Sequence, residues 1–332
     1  MRWSGSICHH STMTAAIDLD SALDEQHAAV LSMLPPDLMD LSDIPAARAR
    51  LGGLLAMMPA PELPADVTIT EVMAPSVDGA PDVRLKVYTP SGLESDAGAL
   101  LWIHGGGMVL LDADGDDFQS ATRAVEHSCV VVSVDYRLAP ETAAPGLVDD
   151  CFAALVWLAG HVDDLGVSAD RIMIGGASAG AGLAAGTALR SRDTNGPALA
   201  GQLLVYPMLD HRNGSPSSHA IEDQRVWNRS ANIAAWAAYL GGAEPTTYSS
   251  PALAKDLADL PPAYISVGTF DMFHDEDVAY ATALNRAGVS CELHVYPGAF
   301  DASNGFVPDH PTSLRWKRDE DDFISRCLAG QL

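Results

Sequence analysis

Six short apolar runs recur along this 332-residue chain: Ala99–Ile103, Cys129–Val134, Arg171–Ile174, Gln202–Val205, Ala263–Val267 and Cys291–Val295. Each is of strand length. The segments between them carry helical spacing, most clearly at Leu147–Leu165, Ser178–Arg190 and Asp275–Ala287. Strands that alternate with helices predict a parallel sheet covered on both faces, the α/β class. Ahead of them, the stretches starting at Val67 and Val83 alternate apolar and polar residues with period two. That pattern predicts an antiparallel pair at one sheet edge, so the expected sheet is eight-stranded and mostly parallel.

Two segments fall outside this pattern. Residues 14–60 read as helix with polar breaks: Ala22–Leu31 is periodic and Leu34-Pro35-Pro36 stops it. Residues 211–245 are longer than one crossover needs and hold an amphipathic stretch, Ile233–Leu240. Long insertions after the carboxyl end of a strand are where α/β proteins carry lids. The expected organisation is therefore 1–60 as an extension and part of a cap, 61–210 with 246–332 as the main domain, and 211–245 as the cap insertion. No repeat, low-complexity tract or Gly/Ser linker divides the chain further.

At 48% hydrophobic, the chain has enough apolar residues for one large core. Its net charge of −25 excludes a phosphate backbone as a natural partner. The longest apolar runs are too short to span a bilayer, and Met1–Met13 is polar and does not read as a signal peptide; Met13 is an alternative start. The five cysteines, Cys8, Cys129, Cys151, Cys291 and Cys327, include no CxxC pair, with Cys129 and Cys291 read as small core residues. A reducing, cytoplasmic setting fits. No metal-ligand spacing stands out, and no cofactor is implied.

The chemistry is concentrated at two glycine-rich turns. Gly176-Ala177-Ser178-Ala179-Gly180 follows a predicted strand and opens a predicted helix, the context that a GxSxG nucleophile elbow requires. Ser178 would project from a helix N-terminus, where the dipole favours developing negative charge. His104-Gly105-Gly106-Gly107 follows the strand Ala99–Ile103. Glycines there let backbone N–H groups converge on one point. Gly105, Gly106 and Gly107, with the N–H of Ala179, form a candidate oxyanion hole, in which one donor is worth ~3–4 kcal/mol. His104 reads as an anchor for the loop rather than a base.

These motifs, together with Asp135-Tyr136-Arg137-Leu138-Ala139-Pro140-Glu141 and Asp149-Asp150, resemble those of the hormone-sensitive lipase family of α/β-hydrolases, the bacterial HGGG carboxylesterases, over residues 65–330. The resemblance implies an α/β-hydrolase with a helical cap, a small-molecule ester substrate and a serine mechanism without cofactor. It also implies a homodimer formed through about residues 291–329. Gly268-Thr269-Phe270-Asp271-Met272-Phe273-His274-Asp275-Glu276 matches the family's acid segment apart from Phe273. Asp271 is then the acid, with Asp275 and Glu276 expected to cap the next helix and His274 left as a loop residue.

The base breaks the pattern. In Tyr296-Pro297-Gly298-Ala299-Phe300-Asp301, Asp301 occupies the family's histidine position. A carboxylate with an ordinary pKa of about 3.9 is a poor proton shuttle at pH 7. Beside Asp271 it would also repel a like charge, so one pKa should rise. Strongly reduced esterase activity is expected. Three readings stand: a histidine-to-aspartate substitution in an otherwise intact esterase; a catalytically silent ligand-binding member of the family, as in a plant hormone receptor subgroup; or recruitment of His310 as base. His294 lies within a strand and reads as packing.

For the substrate pocket, Met108, Val109 and Leu110 are expected on one side, with Trp227, Trp236 and Tyr239 from the insertion on the other. Asp210 reads either as a carboxylate near the site or as a turn cap. A small to medium acyl group is the expected substrate.

Overall fold

A computed structural model describes residues 15–57, 59–77 and 79–332. Cys8, Met13 and the start of the 1–60 segment lie outside the described residues.

All eight expected strands form, in one sheet: β1 (Val67–Ala74), β2 (Val83–Pro90), β3 (Ala97–Ile103), β4 (Val130–Asp135), β5 (Val167–Ala177), β6 (Gly201–Val205), β7 (Ala263–Phe270) and β8 (Cys291–Phe300). Their order is β1-β2-β4-β3-β5-β6-β7-β8. β2 pairs antiparallel with both β1 and β4, and every pair from β4 through β8 is parallel. β2 alone is therefore reversed. The carboxyl ends of β3, β5, β6, β7 and β8 all emerge on one edge of the sheet, where an α/β fold places its ligands.

The runs in β3 through β7 are buried on both faces, whereas the run Cys291–Val295 lies on the edge strand β8 and is only half-buried, so Cys291 is not the fully buried core residue expected. Leu101, Ile103, Val130, Val132 and Ile174 belong to one core layer; Leu100, Trp102, Val131 and Met173 belong to the other. The period-two alternation sends successive side chains to opposite faces. β1, at the edge, keeps the alternating half-exposed pattern that its sequence carried.

The helix Ala179–Asp193 runs through the centre, nearly all of it buried. Its small residues are required by close approach. A Cβ on Gly180 would collide with the carbonyl oxygens of Ile103 and His104, so the helix seats directly on the exit of β3.

The two segments outside the βα pattern touch each other. The insertion forms the helices Pro216–Ala220 and Arg229–Leu240. The amide of Ile17 donates to Ala220 O (2.8 Å), that of Met39 to Gln224 O (2.8 Å), and Arg225 pairs with Asp20 (3.0 Å). The expected Ala22–Leu31 helix is corrected at its start. Asp24 caps a helix Glu25–Met33 by accepting from the amides of Gln26 and His27, because a short carboxylate satisfies the free N–H groups of a helix start. Among the described residues, no helix is long and apolar enough to cross a membrane.

Candidate active site

Ser178 sits where β5 turns into the central helix, with φ 54° and ψ −120°. A non-glycine residue adopts that conformation only when its surroundings enforce it. Here they do so from both sides. Its amide donates to Val205 O (2.9 Å), and its carbonyl accepts from Gly182 (3.1 Å) and Met208 (3.0 Å). Neighbouring strand ends thus hold the turn, and the hydroxyl projects at the helix N-terminus.

The glycine loop after β3 lies against this turn. A Cβ built on Gly105 would be 3.6 Å from Ser178 Cβ. The loop's carbonyls are engaged elsewhere. The Tyr136 hydroxyl donates to His104 O (3.0 Å), His104 Nδ1 donates to Gly105 O (2.8 Å), and Gly106 O accepts from Val109 (3.1 Å) and Leu110 (2.8 Å). Gly106 and Gly107 have φ of +104° and +60°. Among the described residues their amides donate to no protein acceptor. His104 stacks on Tyr136 at 4.2 Å and is buried, an anchor as expected; burial holds its pKa below the usual value.

Asp271 follows β7 and Asp301 follows β8. Phe270 pairs with Phe300 across these strands, so the two carboxylates leave the sheet side by side. Asp271 is 1% exposed; its Oδ1 accepts from the Phe273 amide (2.8 Å), and its Oδ2 has no partner. Asp301 Oδ1 is likewise buried without a partner. Burial, and then the Asp301 charge, pushes the Asp271 carboxyl up. Burial raises that of Asp301 from 3.8 to about 7. An orphaned Asp271 oxygen beside residue 301 is the acceptor that an imidazole N–H would need.

His310 is elsewhere. It caps the helix Pro311–Leu328, its Nδ1 accepting from Thr312 (3.1 Å), while its Nε2 lies 3.5 Å from Asp24. Its Nδ1 is occupied as a helix cap and its Nε2 faces Asp24, which also pairs with His27 (2.6 Å). His294 stacks on Tyr264 at 4.8 Å. His274 is paired with Asp275 at 2.9 Å.

The expected capping by Asp275 and Glu276 is corrected. Both stand in the first turn of the helix His274–Arg286, yet neither bonds its own helix start. Asp275 accepts from the amide of Ser217 (2.8 Å), and Glu276 accepts from those of Leu209 (2.8 Å) and Asp210 (3.1 Å). Loops that return over the helix outcompete it for these carboxylates. Burial raises the Glu276 carboxyl to about 8. Asp210 takes the turn-cap role: it accepts from the Arg212 amide (3.0 Å) and pairs with the Arg212 guanidinium (2.7 Å).

Met108, Val109 and Leu110 are buried, as is Trp227 of the 211–245 segment. The Trp227 ring rests on Gly107, where an added Cβ would fall inside it. Trp236 and Tyr239 are buried core side chains.

Three contributors carry no motif of their own. Arg48, from the helix Ile44–Met57, donates to Val109 O (2.7 Å) and Ala139 O (2.8 Å) and pairs with Glu141 (2.6 Å). Tyr206 lies at the end of β6, with burial and then the Asp301 charge raising its phenol. Asn232 holds the Trp227 indole (3.0 Å). The Asp149-Asp150 segment serves structure: buried Asp150 forks onto Arg137 (2.7 Å), and Asp149 pairs with Arg190.

Comparison with known proteins agrees with this geometry. The family described as alpha/beta hydrolase fold matches residues 100–302. Esterase LipI of Mycobacterium tuberculosis is 36% identical over 289 residues, covering 83% of this chain and 88% of LipI. Carboxylesterase NlhH of the same organism is 36% identical over 275 residues, covering 81% and 84%. Among solved structures, a bacterial heroin esterase superposes with a TM-score of 0.89 at 38% identity, covering 94% of this chain and 99% of that one.

Proposed function

The chain belongs to the α/β-hydrolase fold family, and from that premise we propose that it is a serine carboxylesterase of the hormone-sensitive lipase type, built for small to medium carboxylic esters and disabled at its base. The observation that carries this reading is the strained Ser178 turn packed against Gly105, in a loop whose Gly106 and Gly107 amides have no protein acceptor among the described residues.

The Ser178 oxygen attacks the ester carbonyl carbon, forming a C–O bond and a tetrahedral oxyanion. The amides of Gly106, Gly107 and Ala179 stabilise that charge. The serine proton must pass to a base at position 301 and from there to the departing alcohol; water then hydrolyses the acyl-enzyme in the same way. An imidazole at 301, oriented by Asp271 Oδ2, performs both transfers. Asp301 does not. Burial raises its carboxyl to about 7, and beside the buried Asp271, whose carboxyl is pushed up as well, it is a poor replacement for a base that must take up and return a proton. Loss of the base leaves about 10³–10⁴-fold over water, from the oxyanion hole and binding.

The helices of 15–57 and 211–245 act as a lid over the site, a reading supported by their mutual contacts and by Arg48 and Trp227 on the glycine loop. The free Cys129, Cys151, Cys291 and Cys327 support a cytoplasmic setting. The edge strand β8 and the last helix, about residues 291–329, are the proposed homodimer face.

The test is p-nitrophenyl butyrate hydrolysis by this chain, Asp301→His and Ser178→Ala. A gain of about 10³-fold in Asp301→His, absent from Ser178→Ala/Asp301→His, is expected. Inertness of both the parent and Asp301→His would move the silent, ligand-binding reading ahead.

A further inference from the structure

Trp227 is held on the glycine loop by buried amides. Its indole Nε1 donates to Asn232 Oδ1 (3.0 Å), Asn232 Nδ2 donates to Asn213 Oδ1, and Asn213 Nδ2 donates to His211 O (2.8 Å). Asn232 is 0% exposed, Asn213 4% and Trp227 4%. The direction of the chain is fixed from both ends. An indole only donates and a carbonyl only accepts, so each asparagine has one allowed orientation. All three bonds run head to tail, which strengthens each of them. Two amides buried beside Trp227, Ala231 and Ala235 would cost stability if unpaired; apolar side chains would fill the same volume. What the amides add is a fixed rotation of the indole ring.

That ring is what touches the loop. Gly107 has φ +60° and has no room for a Cβ beneath Trp227. From the other cap segment, Arg48 holds Val109 O at 2.7 Å. The loop backbone is thus pressed by the ring at Gly107 and tied by the guanidinium two residues on. Asn228 caps the helix Arg229–Leu240 by accepting from Ala231 (3.1 Å), which seats Asn232 one turn into a fixed helix.

We propose that Asn213 and Asn232 are positioning residues: through Trp227 they hold the amides of Gly106 and Gly107 at the angle that an oxyanion requires. This rests on the esterase reading for the identity of the bound charge, but the mechanical coupling does not. Cap and oxyanion loop become one unit, so a displaced cap loosens the donors.

Hydrogen exchange on the full chain tests the coupling without activity. In Asn232→Leu and in Trp227→Phe, the amides of Val109 and Leu110, which donate to Gly106 O, should exchange about tenfold faster, from the loss of one buried hydrogen bond. Those of β4 should be unchanged. The double variant should be no faster than either single one, since both cut the same chain. Unchanged exchange at Val109 and Leu110 in Trp227→Phe, the milder variant, or acceleration only together with β4, overturns the proposal. In the Asp301→His background, Asn232→Leu should lower kcat about tenfold with KM within twofold. A fall confined to KM overturns the positioning role. If Asp301→His is itself inert, the esterase reading falls and exchange still decides the coupling.

Discussion

Phe270 of β7 stands opposite Phe300 of β8, and one residue further on Asp271 and Asp301 emerge together into a buried space. Two carboxyls in that register cannot both carry charge cheaply. In the proposed mechanism this is the position for an imidazole, and the chain places a second acid there.

A pH dependence of stability follows. Asp301 is raised in the fold from 3.8 to about 7, so the folded state binds its proton more tightly than the unfolded chain does. That contribution favours folding below about pH 4 and is lost as pH rises through about 7. Glu276, raised to about 8, extends the window upward. Asp301→Asn cannot ionise. It should match the parent at pH 4 and exceed it by roughly 4 kcal/mol at pH 8, at about 1.4 kcal/mol per pKa unit, as read from urea unfolding at both values. Equal gains at both would show that charge is not the cause.

Ser178→Gly should stabilise the fold while removing the nucleophile. The φ of 54° with ψ −120° costs a serine on the order of 1 kcal/mol that glycine does not incur. A Tm rise of about 2 °C is expected by calorimetry. A fall would mean that the serine side chain stabilises the turn by more than its strain costs.

Gly107→Ala places a methyl inside the Trp227 ring at a left-handed φ. A loss of about 2–3 kcal/mol is expected from overpacking and strain. Adding Trp227→Ala should return part of it, since the clash goes and the strain remains. Strict additivity in denaturant melts would place the two residues out of contact.

Asp150→Ala should be more damaging than most surface changes. It strips a 1%-exposed carboxylate from the fork on Arg137 and from the Arg137 amide (3.0 Å). Breaking a pair with one buried partner costs about 3 kcal/mol. Arg137 keeps some solvent access, so the same loss from Arg137→Ala, which strands the buried acid, should be at least as large. Chemical denaturation of both variants checks the order.

Several parts of the site were legible without coordinates. The strand-to-helix setting of Ser178 is local, because a serine at a helix start with only glycine and alanine around it allows few other turns. The glycine loop announced itself for the same reason. Asp271 was singled out by the resemblance of its segment, Gly268–Glu276, to the family's acid segment after a strand. Glu276 and Asp275 misled: acids in a first turn normally cap it, and only the returning loops at Leu209 and Ser217 explain why these do not. Asn232 and Arg48 gave no signal, since a helical asparagine or arginine reads as a solvated face until its neighbours are known.

The chain alone determined the order of strands and helices, the glycine-rich turn that carries Ser178, and the aspartate at position 301, where the family resemblance calls for histidine. Those depend on side-chain period and on turn chemistry spanning a few residues. Tertiary structure decided that Asp271 and Asp301 share one buried space, that His310 is committed to Asp24, and that Trp227 lies on Gly107. Each joins residues far apart in sequence, and which ones meet is set by sheet order and cap packing, which no local pattern encodes.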